Sequence, residues 1–492
     1  MLFNSLDFLF FLPIVFCIYW ACAERIRWIV LLMISWYFYI SLNPQYFPIL
    51  LLTTFVSWAA GISISREDRQ SGKRKFMIFA IVVCLAFLAF FKYFNFISGM
   101  AASVANLCGL KMQPFTLKLA QPAGISFYTF MTVSYLADVY KGKISAQTNF
   151  AKYALHISFF PQIIAGPIGR APELMDQFFE GRKFDPVKAE SGLRMMLWGY
   201  FKKLIVADSL SVYVDRVYDC VPYYFGMTFI MTSVMYTFQI YCDFSGYSDI
   251  AIGVARLFNI DLMSNFKSPY FSRSIREFWS RWHISLSTWF RDYVYIPLGG
   301  SRQGEFRKNR NQLITMLVSG LWHGADWTFV IWGGLHGIYQ IIEGYCRKFA
   351  SKHETAKHSE KAKAIVIAEN VFHWAVTFFL VNIAWIFFRA NSISDAFFIL
   401  THMHNGVILH FMNAWEKMMV DMNLTVEALL KVLSAVAALM IYDFISLKHD
   451  ISVEFSKIKL PVRWIFYIAL TALIVISELH GGTTQSFIYF NF

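Results

Sequence analysis

The chain has 492 residues, of which 57% are hydrophobic, 18% aromatic and only 15% charged, and its formal net charge is +12. Soluble domains carry about 25% charged residues, and about 490 residues would usually make roughly three of them, but no polar linker divides this sequence. The composition therefore excludes a string of soluble domains. It predicts an all-α, polytopic transmembrane protein in which residues 1–492 form a single integral membrane domain.

The first hundred residues predict four membrane-spanning helices. Apolar runs of suitable length lie near 7–22, 27–41, 46–63 and Phe76–Phe96. Met1–Asp7 contains no Lys or Arg, so the first run lacks the basic region of a cleaved signal peptide and is expected to stay as a span. The dense basic segment Arg66–Lys75 follows the third run. Cytoplasmic loops collect Lys and Arg, so we assign this segment to the cytoplasm and the N-terminus to the outside.

The middle of the chain, from about 150 to 345, does not divide into clean spans. Proline and glycine interrupt it at Phe159–Gln162, Ala165–Pro167 and Cys242–Tyr247. Irregular backbone at membrane depth survives only where protein or a water-filled cavity surrounds it. These interruptions therefore predict broken or re-entrant helices in the middle of the protein.

The C-terminal third predicts three more spans. They lie at 365–388, 427–445 and 464–479. The basic segments Arg347–Lys363 and Lys448–Arg463 flank them and are assigned to the cytoplasm, which places the C-terminus outside. Counting from either end of the chain thus agrees with the charge rule.

The sequence predicts a lipid bilayer as its partner and no nucleic acid, because its positive charge lies in loops beside apolar runs. The seven cysteines have no CxxC or paired spacing, so we predict neither a disulfide framework nor a metal site. No GxxxxGK[ST] motif occurs, which argues against an ATP-driven pump.

Three histidines in apolar surroundings are functional candidates, because ionisable groups are costly there. His323 stands between Trp322 and Gly324, and imidazole suits proton transfer near neutral pH. His336 follows 13 residues later, which is about 20 Å along a continuous helix. The two should share a site only if the helix breaks at Gly324, so His336 is expected to serve packing. His283 lies on another segment and is free to face His323.

The stretch Arg276–Gly300 is too charged for a plain span. It is interpreted either as an amphipathic helix in the membrane interface or as a re-entrant element that lines a tunnel. The candidates for lining a tunnel or substrate path, in this stretch and beside His323, are Trp282, Trp289, Asp292, Tyr293 and Trp322.

A basic loop follows directly, with Arg302, Arg307, Lys308 and Arg310. These four residues could attract a phosphate-bearing donor, or they could serve only as positive-inside anchors.

The spacing of these motifs is similar to that of a known family. Trp279–His283, the following Ser285–Ser287 and Trp289–Tyr293 resemble the signature of the membrane-bound O-acyltransferases. Leu321–Gly324, with its histidine 40 residues after His283, resembles that family's second histidine motif. The similarity covers nearly the whole chain, and its signature region runs from about 240 to 345. Supporting stretches are Phe159–Gly169, Tyr241–Ile252 and Phe387–Ala390.

The resemblance implies a ring of helices around a central funnel and narrow tunnel. It implies that His323 is the catalytic histidine and His283 its companion. No cofactor would be bound; the donor would be a cytoplasmic acyl thioester such as acetyl-CoA. The alginate-acetylating branch is the most similar, which implies a bacterial inner membrane, a separate periplasmic acyltransferase or carrier, and an extracytoplasmic polysaccharide as final acceptor.

In the mechanism we predict, His323 is the general base for the acceptor hydroxyl. His283, the N–H of Trp322 or Trp282, or a backbone N–H could stabilise the oxyanion, and the sequence leaves this choice open. One alternative is D-alanyl or other acyl transfer to teichoic acid, lipid or protein. Another is a proton-coupled transporter, for which Asp138, Asp243 and Asp249 would be the acidic partners.

Overall fold

The computed structural model of the protein describes residues 1–118, 120–354, 363–407, 410–449, 451–479 and 487–488. Helices make up the regular structure of these residues, and no strand occurs among them, so the predicted all-α class is confirmed. The chain forms two compact units, one of Met1–Met196 with Tyr247–Ser264 and one of Leu197–Gly246 with Asn265–Phe492. The assignment of residues 1–492 to a single domain stays a prediction.

Most of the first unit comes from the N-terminal helices. They are α1 (Leu6–Ala21), α2 (Arg27–Leu42), α3 (Phe47–Arg66), α4 (Gln70–Leu88), α5 (Phe94–Leu107), α6 (Ile125–Tyr140), α7 (Phe150–Ser158) and α8 (Ala171–Phe179). Buried hydroxyls inside this unit bond to carbonyls one turn earlier, as Thr54 does to Leu50 O at 2.6 Å. Such bonds satisfy polar side chains within apolar helices.

The rest of the chain supplies the second unit, although α9 and α11 also contribute residues to the first. Its helices are α9 (Pro186–Tyr200), α10 (Asp208–Tyr218), α11 (Met227–Leu257), α12 (Ile275–Arg281), α13 (Ile284–Phe290), α14 (Glu305–His323), α15 (Trp327–Glu354), α16 (Lys363–Arg389), α17 (Ile393–His402), α18 (Phe411–Asp421), α19 (Val426–Ser446), α20 (Ile451–Ser456) and α21 (Leu460–Leu479).

Five helical segments of the described chain are long and apolar enough to cross a membrane. They are Pro44–Arg66, Gln70–Leu107, Ala364–Arg389, Val426–Ser446 and Leu460–Leu479, and they coincide with five of the predicted spans. The two remaining predicted spans correspond to α1 and α2, which are shorter apolar helices of 16 residues each. Large apolar side chains are exposed on the five long segments: Phe79 on α4 is 66% exposed and Ile465 on α21 is 68% exposed. Apolar side chains exposed along such helices fit a lipid environment, and the chain is a multi-pass membrane protein.

The middle of the chain contains broken helices, as predicted. Between residues 108 and 363, no described helix is both long enough and apolar enough to cross a membrane. Breaks follow Ser158, Arg281 and His323, and π-helical turns occupy Phe201–Ala207 and Arg291–Tyr295. The stretch Arg276–Gly300 is therefore not one amphipathic helix: it forms α12, α13, a π-helical turn and a loop. The funnel and tunnel implied by the resemblance stay predictions.

Helices α14 and α15 pack backbone to backbone at two glycines. A Cβ added to Gly320 would lie 2.2 Å from Phe329 O, and one added to Gly333 would lie 2.3 Å from Met316 O. The Cα atom of each glycine is 3.2 Å from the position of the other's added Cβ. This close approach fixes the end of α14, where His323 lies.

Replacing Gly333 with Ala should destabilise the protein, because the new methyl group would force the two helix backbones apart. Overpacking of this kind costs about 1–3 kcal/mol. Thermal unfolding of the detergent-solubilised protein, followed by circular dichroism, should show a lower Tm. The matched control is Gly334→Ala, whose Cβ would meet only Leu317 Cδ2 at 3.5 Å, an ordinary contact. Equal Tm values for the two variants would contradict this packing.

Candidate active site

Two histidines meet inside the second unit. His283 is completely buried and His323 is 3% exposed, and their ring centroids are 6.3 Å apart. His323 is the last residue of α14, and His283 immediately precedes α13. Each imidazole therefore lies at the end of a helix, and the two can face one small reacting group.

The backbone of His283 has an uncommon conformation, with a φ of 42°. This left-handed region is strained for a residue with a side chain, and such strain is often found at functional sites. The buried Asn265 holds the chain just after it. Its backbone carbonyl accepts from Ile284 N at 3.0 Å, and its side-chain oxygen accepts from Ser285 N at 3.3 Å.

An aromatic ring fixes the other side of His283. Phe244, on α11, presents its ring nearly perpendicular to the imidazole, with centroids 4.6 Å apart and an interplanar angle of 85°. Edge-to-face pairs at this distance are favourable. The imidazole of His283 is thus held by side-chain packing as well as by its backbone.

Aromatic side chains form the walls around His323. The rings of Trp332 and Phe388 lie 4.9 and 5.4 Å from the imidazole, and both side chains are almost completely buried. The neighbouring Trp322 also packs against His283, with ring centroids 6.0 Å apart. These walls limit water around the histidines and lower the local dielectric constant, which strengthens electrostatic interactions with a bound substrate.

The helix breaks at Gly324, which is the condition under which His323 and His336 could approach each other. A Cβ at Gly324 would lie 2.1 Å from the ring of Phe329, so only glycine fits this turn. As a result, Trp332 contacts both imidazoles, at 4.9 Å from His323 and 5.0 Å from His336.

His336 also has a hydrogen-bonding neighbour on α12. Trp279 Nε1 donates to His336 Nδ1 at 3.2 Å, and the imidazole itself is completely buried. His336 therefore packs against Trp332, and it also accepts the hydrogen bond from Trp279. Its predicted packing role stays a prediction.

The other predicted lining residues have different surroundings. Trp282 is buried among aromatic rings, including Trp385 at 5.0 Å. Trp289 and Tyr293 pack together at 5.2 Å, and Asp292 accepts from Arg291 Nε at 2.7 Å. Of the five candidates, Trp322 packs against both histidines, with ring centroids 6.0 Å from His283 and 4.9 Å from His323. The lining roles of all five stay predictions.

The basic cluster Arg302, Arg307, Lys308 and Arg310 lies in the loop before α14 and in its first turns. Its three arginines are exposed and its lysine is half-buried. Helix α14 has 19 residues, which correspond to about 28 Å at 1.5 Å per residue. The cluster therefore lies at the opposite end of α14 from His323 and is remote from the two histidines.

Four residues around the histidines were not among the sequence candidates: Phe244, Asn265, Trp332 and Phe388. Phe388 lies in one of the stretches that supported the family resemblance, and Phe244 lies in another. Asn265 gives no local signal, because its role depends on a hydrogen bond to a residue 20 positions away. Among the described residues, no group of three or more His, Cys, Asp or Glu is placed to hold a metal ion.

The sequence also matches known proteins. The MBOAT, membrane-bound O-acyltransferase family, matches residues 16–386. The chain is 38% identical over 404 residues to the probable alginate O-acetylase AlgI of Pseudomonas syringae pv. tomato, covering 80% of this chain and 74% of that protein. It is 34% identical over 448 residues to the peptidoglycan O-acetyltransferase of Helicobacter pylori, covering 83% and 81%.

A more distant relative is the teichoic acid D-alanyltransferase of Streptococcus thermophilus, which is 29% identical over 279 residues, 54% of this chain and 66% of that protein. The resemblance inferred from the paired histidine motifs is confirmed by these matches. The chain belongs to the membrane-bound O-acyltransferase family and is an acyltransferase.

Proposed function

We propose that this protein takes an acetyl group from a cytoplasmic thioester donor, such as acetyl-CoA, and passes it across the bacterial inner membrane. The final acceptor is an extracytoplasmic polysaccharide, which becomes O-acetylated. The observation that carries this proposal is the buried pair of His283 and His323, with ring centroids 6.3 Å apart inside aromatic walls. This pair provides a basic group in a site from which water is largely excluded.

His323 acts as the general base in this proposal. Its imidazole takes the proton of the acceptor hydroxyl while the oxygen attacks the thioester carbonyl. The tetrahedral intermediate then collapses, the carbon–sulfur bond breaks, and the departing thiolate takes the proton from the imidazolium. General acid–base catalysis of this kind contributes about 10²–10⁴-fold.

The developing oxyanion needs hydrogen-bond donors close to His323. His283 and the indole N–H of Trp322 are two side-chain donors that pack against His323, with ring centroids 6.3 and 4.9 Å from its imidazole. Trp282 and a backbone N–H are the other donors proposed for this role. In each case the donor would be positioned by the surrounding rings before the substrate arrives.

The names of the relatives support the acceptor that we propose. Two of them are named for O-acetylation of alginate and of peptidoglycan, and one for D-alanylation of teichoic acid. An extracytoplasmic polysaccharide is therefore the acceptor we favour, with D-alanyl or other acyl transfer as the alternative. The described chain consists of helices and their connections. A separate periplasmic acyltransferase or carrier would accordingly receive the acetyl group and recognise the polymer.

Two of the three acidic residues named for a proton-coupled transporter form ion pairs. Asp138 pairs with Lys143 at 3.1 Å, and Asp243 pairs with Lys203 at 2.6 Å. Ion pairing of this kind favours a structural role for both carboxylates over a proton relay. Acyl transfer is therefore the function that we propose.

Replacing His323 with Gln should lower acetyl transfer by at least about 100-fold, because the general base is lost. The His283→Gln change should also be severe, because it removes the companion imidazole. The measurement is release of CoA thiol from acetyl-CoA by proteoliposomes, together with the O-acetyl content of polysaccharide in cells.

His336→Gln is the control for these two variants. It also alters a fully buried imidazole in the same unit, but one whose Nδ1 accepts from Trp279. It should keep near-normal turnover per folded protein. Normal polysaccharide acetylation by the His323 variant would refute the assignment, and an equal loss at His336 would show that catalysis extends beyond the proposed pair.

Single-cysteine labelling tests the orientation, after the seven native cysteines have been replaced. Cysteines at Ser71 and at Thr355, which lies outside the described residues, should resist a membrane-impermeant maleimide in spheroplasts until the membrane is permeabilised. The reason is the excess of Lys and Arg around both positions. A cysteine at Ser394, which lies between the predicted spans 365–388 and 427–445 and is therefore expected outside, should label at once. Labelling of residue 355 from outside would overturn the predicted orientation of the C-terminus, and labelling of residue 71 would overturn that of the N-terminus.

Neutralising the basic cluster should weaken donor binding. Changing Arg302, Arg307, Lys308 and Arg310 together to Gln should raise the apparent KM for acetyl-CoA about tenfold at low salt, with less effect on kcat. The difference should shrink as salt shortens the Debye length to about 8 Å at physiological ionic strength.

The control for this variant keeps the charge by changing the three arginines to Lys, and it should retain the wild-type KM. A wild-type KM for the correctly inserted Gln variant at low salt would show that the cluster is only a topological anchor. Donor recognition would then have to depend on other arginines, such as Arg276, Arg281 and Arg291.

A further inference from the structure

A buried cluster of charges lies elsewhere in the second unit, and acyl transfer as described above does not use it. The side chain of Lys203 is 1% exposed, and its Nζ lies 2.6 Å from Asp243 Oδ1 and 2.8 Å from Asp208 Oδ1. The two carboxylates are 3% and 7% exposed. Buried charges are costly even when paired, and ionisable groups within membrane proteins usually serve function.

The local backbone explains why two of these residues lie together. Phe201–Ala207 is a π-helical turn, and the N–H of Asp208 donates to Lys203 O. A π-helical turn places residues five apart above one another, which brings the two side chains to the same face. Such turns are rare and are frequently found at functional sites.

Helix α11 supplies the third member of the cluster and packs directly against the same segment. A Cβ added to Gly246 would lie 2.8 Å from Gly199 O and 3.2 Å from Lys203 N, so the backbones are in close contact. On this helix Asp243 faces the lysine, and the next residue, Phe244, packs against His283 at 4.6 Å. The ion cluster and the His283 contact are thus one residue apart on α11.

Two residues near the C-terminus, Phe487 and Ile488, also contact the cluster. Ile488 N donates to the second carboxylate oxygen of Asp243 at 2.8 Å. The neighbouring Phe487 is 1% exposed, and Lys203 Nζ lies 4.5 Å from its ring centroid. A cation over an aromatic face is a favourable contact, especially when water is excluded. These residues therefore bind both the cation and one anion of the cluster.

We propose that Lys203, Asp208 and Asp243, together with residues 487–488, form a positioning site for His283. The cluster fixes α11, and Phe244 then holds the imidazole of His283 toward His323. They are positioning residues, and Phe244 is the contact through which they reach the imidazole. The inference rests on the proposed acetyl transfer, since it assigns a role to the geometry of that site.

The test removes one hydrogen bond without changing any charge. Ile488→Pro deletes the N–H that Asp243 accepts, while Ile488→Val, the matched control, keeps it. Because small misplacements of catalytic groups lower turnover strongly, kcat for acetyl-CoA should fall about tenfold in the Pro variant. Its KM should stay within about twofold of wild type, because donor binding is not altered. The Val variant should match wild type in both parameters.

A double mutant separates positioning from general loss of stability. If residues 487–488 act through Phe244, the double mutant Phe244→Leu with Ile488→Pro should lower kcat by less than the product of the two single effects. The ¹⁵N imidazole resonance of His283, assigned by its loss in His283→Gln, should shift in the Ile488→Pro protein and not in Ile488→Val.

An unchanged kcat per folded Ile488→Pro protein, or losses that multiply in the double mutant, would overturn the proposal. If the wild-type protein does not turn over acetyl-CoA, the proposed function fails instead. The His283 resonance then decides the positioning question alone, because an unshifted resonance refutes it without any reference to activity.

Discussion

A helix that breaks inside an apolar environment leaves backbone N–H and C=O groups without partners, and each of them must find a new one within the protein. Both histidines lie at such breaks. After His283, Asn265 accepts from two successive backbone N–H groups. After His323, the side chain of Asp326 accepts from Thr328 N at 2.8 Å and starts α15. The site is therefore located where the sequence provides substitutes for the missing helical hydrogen bonds.

Close packing then makes these breaks rigid. Gly320 and Gly333 let α14 and α15 approach to backbone contact, which determines where His323 ends its helix. Trp332 fills the space beyond the break and packs against both His323 and His336. Polar groups in such a dry interior are expensive to leave unsatisfied, but once satisfied they specify a single arrangement. The same surroundings that stabilise the breaks thus orient the imidazoles.

Sequence reasoning predicted the helical class and the long spans because hydropathy depends only on composition along the chain. It also selected His283 and His323, since histidines are costly in apolar stretches. It could not find Asn265, whose importance comes from folding back on residues 284 and 285. It made any link between His323 and His336 conditional on a helix break at Gly324, because 13 residues place them far apart on a continuous helix. One glycine removes that continuity, and whether it does so depends on Phe329, which occupies the space that a Cβ would need.

The length of α14 sets the distance between the basic cluster, where the donor phosphates are proposed to bind, and His323, where acyl transfer is proposed to occur. The helix begins among the basic residues and ends at His323, about 28 Å away at 1.5 Å per residue. This is close to the thickness of the hydrocarbon core, about 30 Å. A donor whose phosphates stay at the basic end can reach the histidine only if a long, thin arm separates them from its thioester, as in acetyl-CoA. A compact phosphorylated donor cannot occupy both ends at once. The length of this helix thus supports the proposed thioester donor, whose acyl carbon would be delivered deep into the protein while its phosphates stay at the basic end.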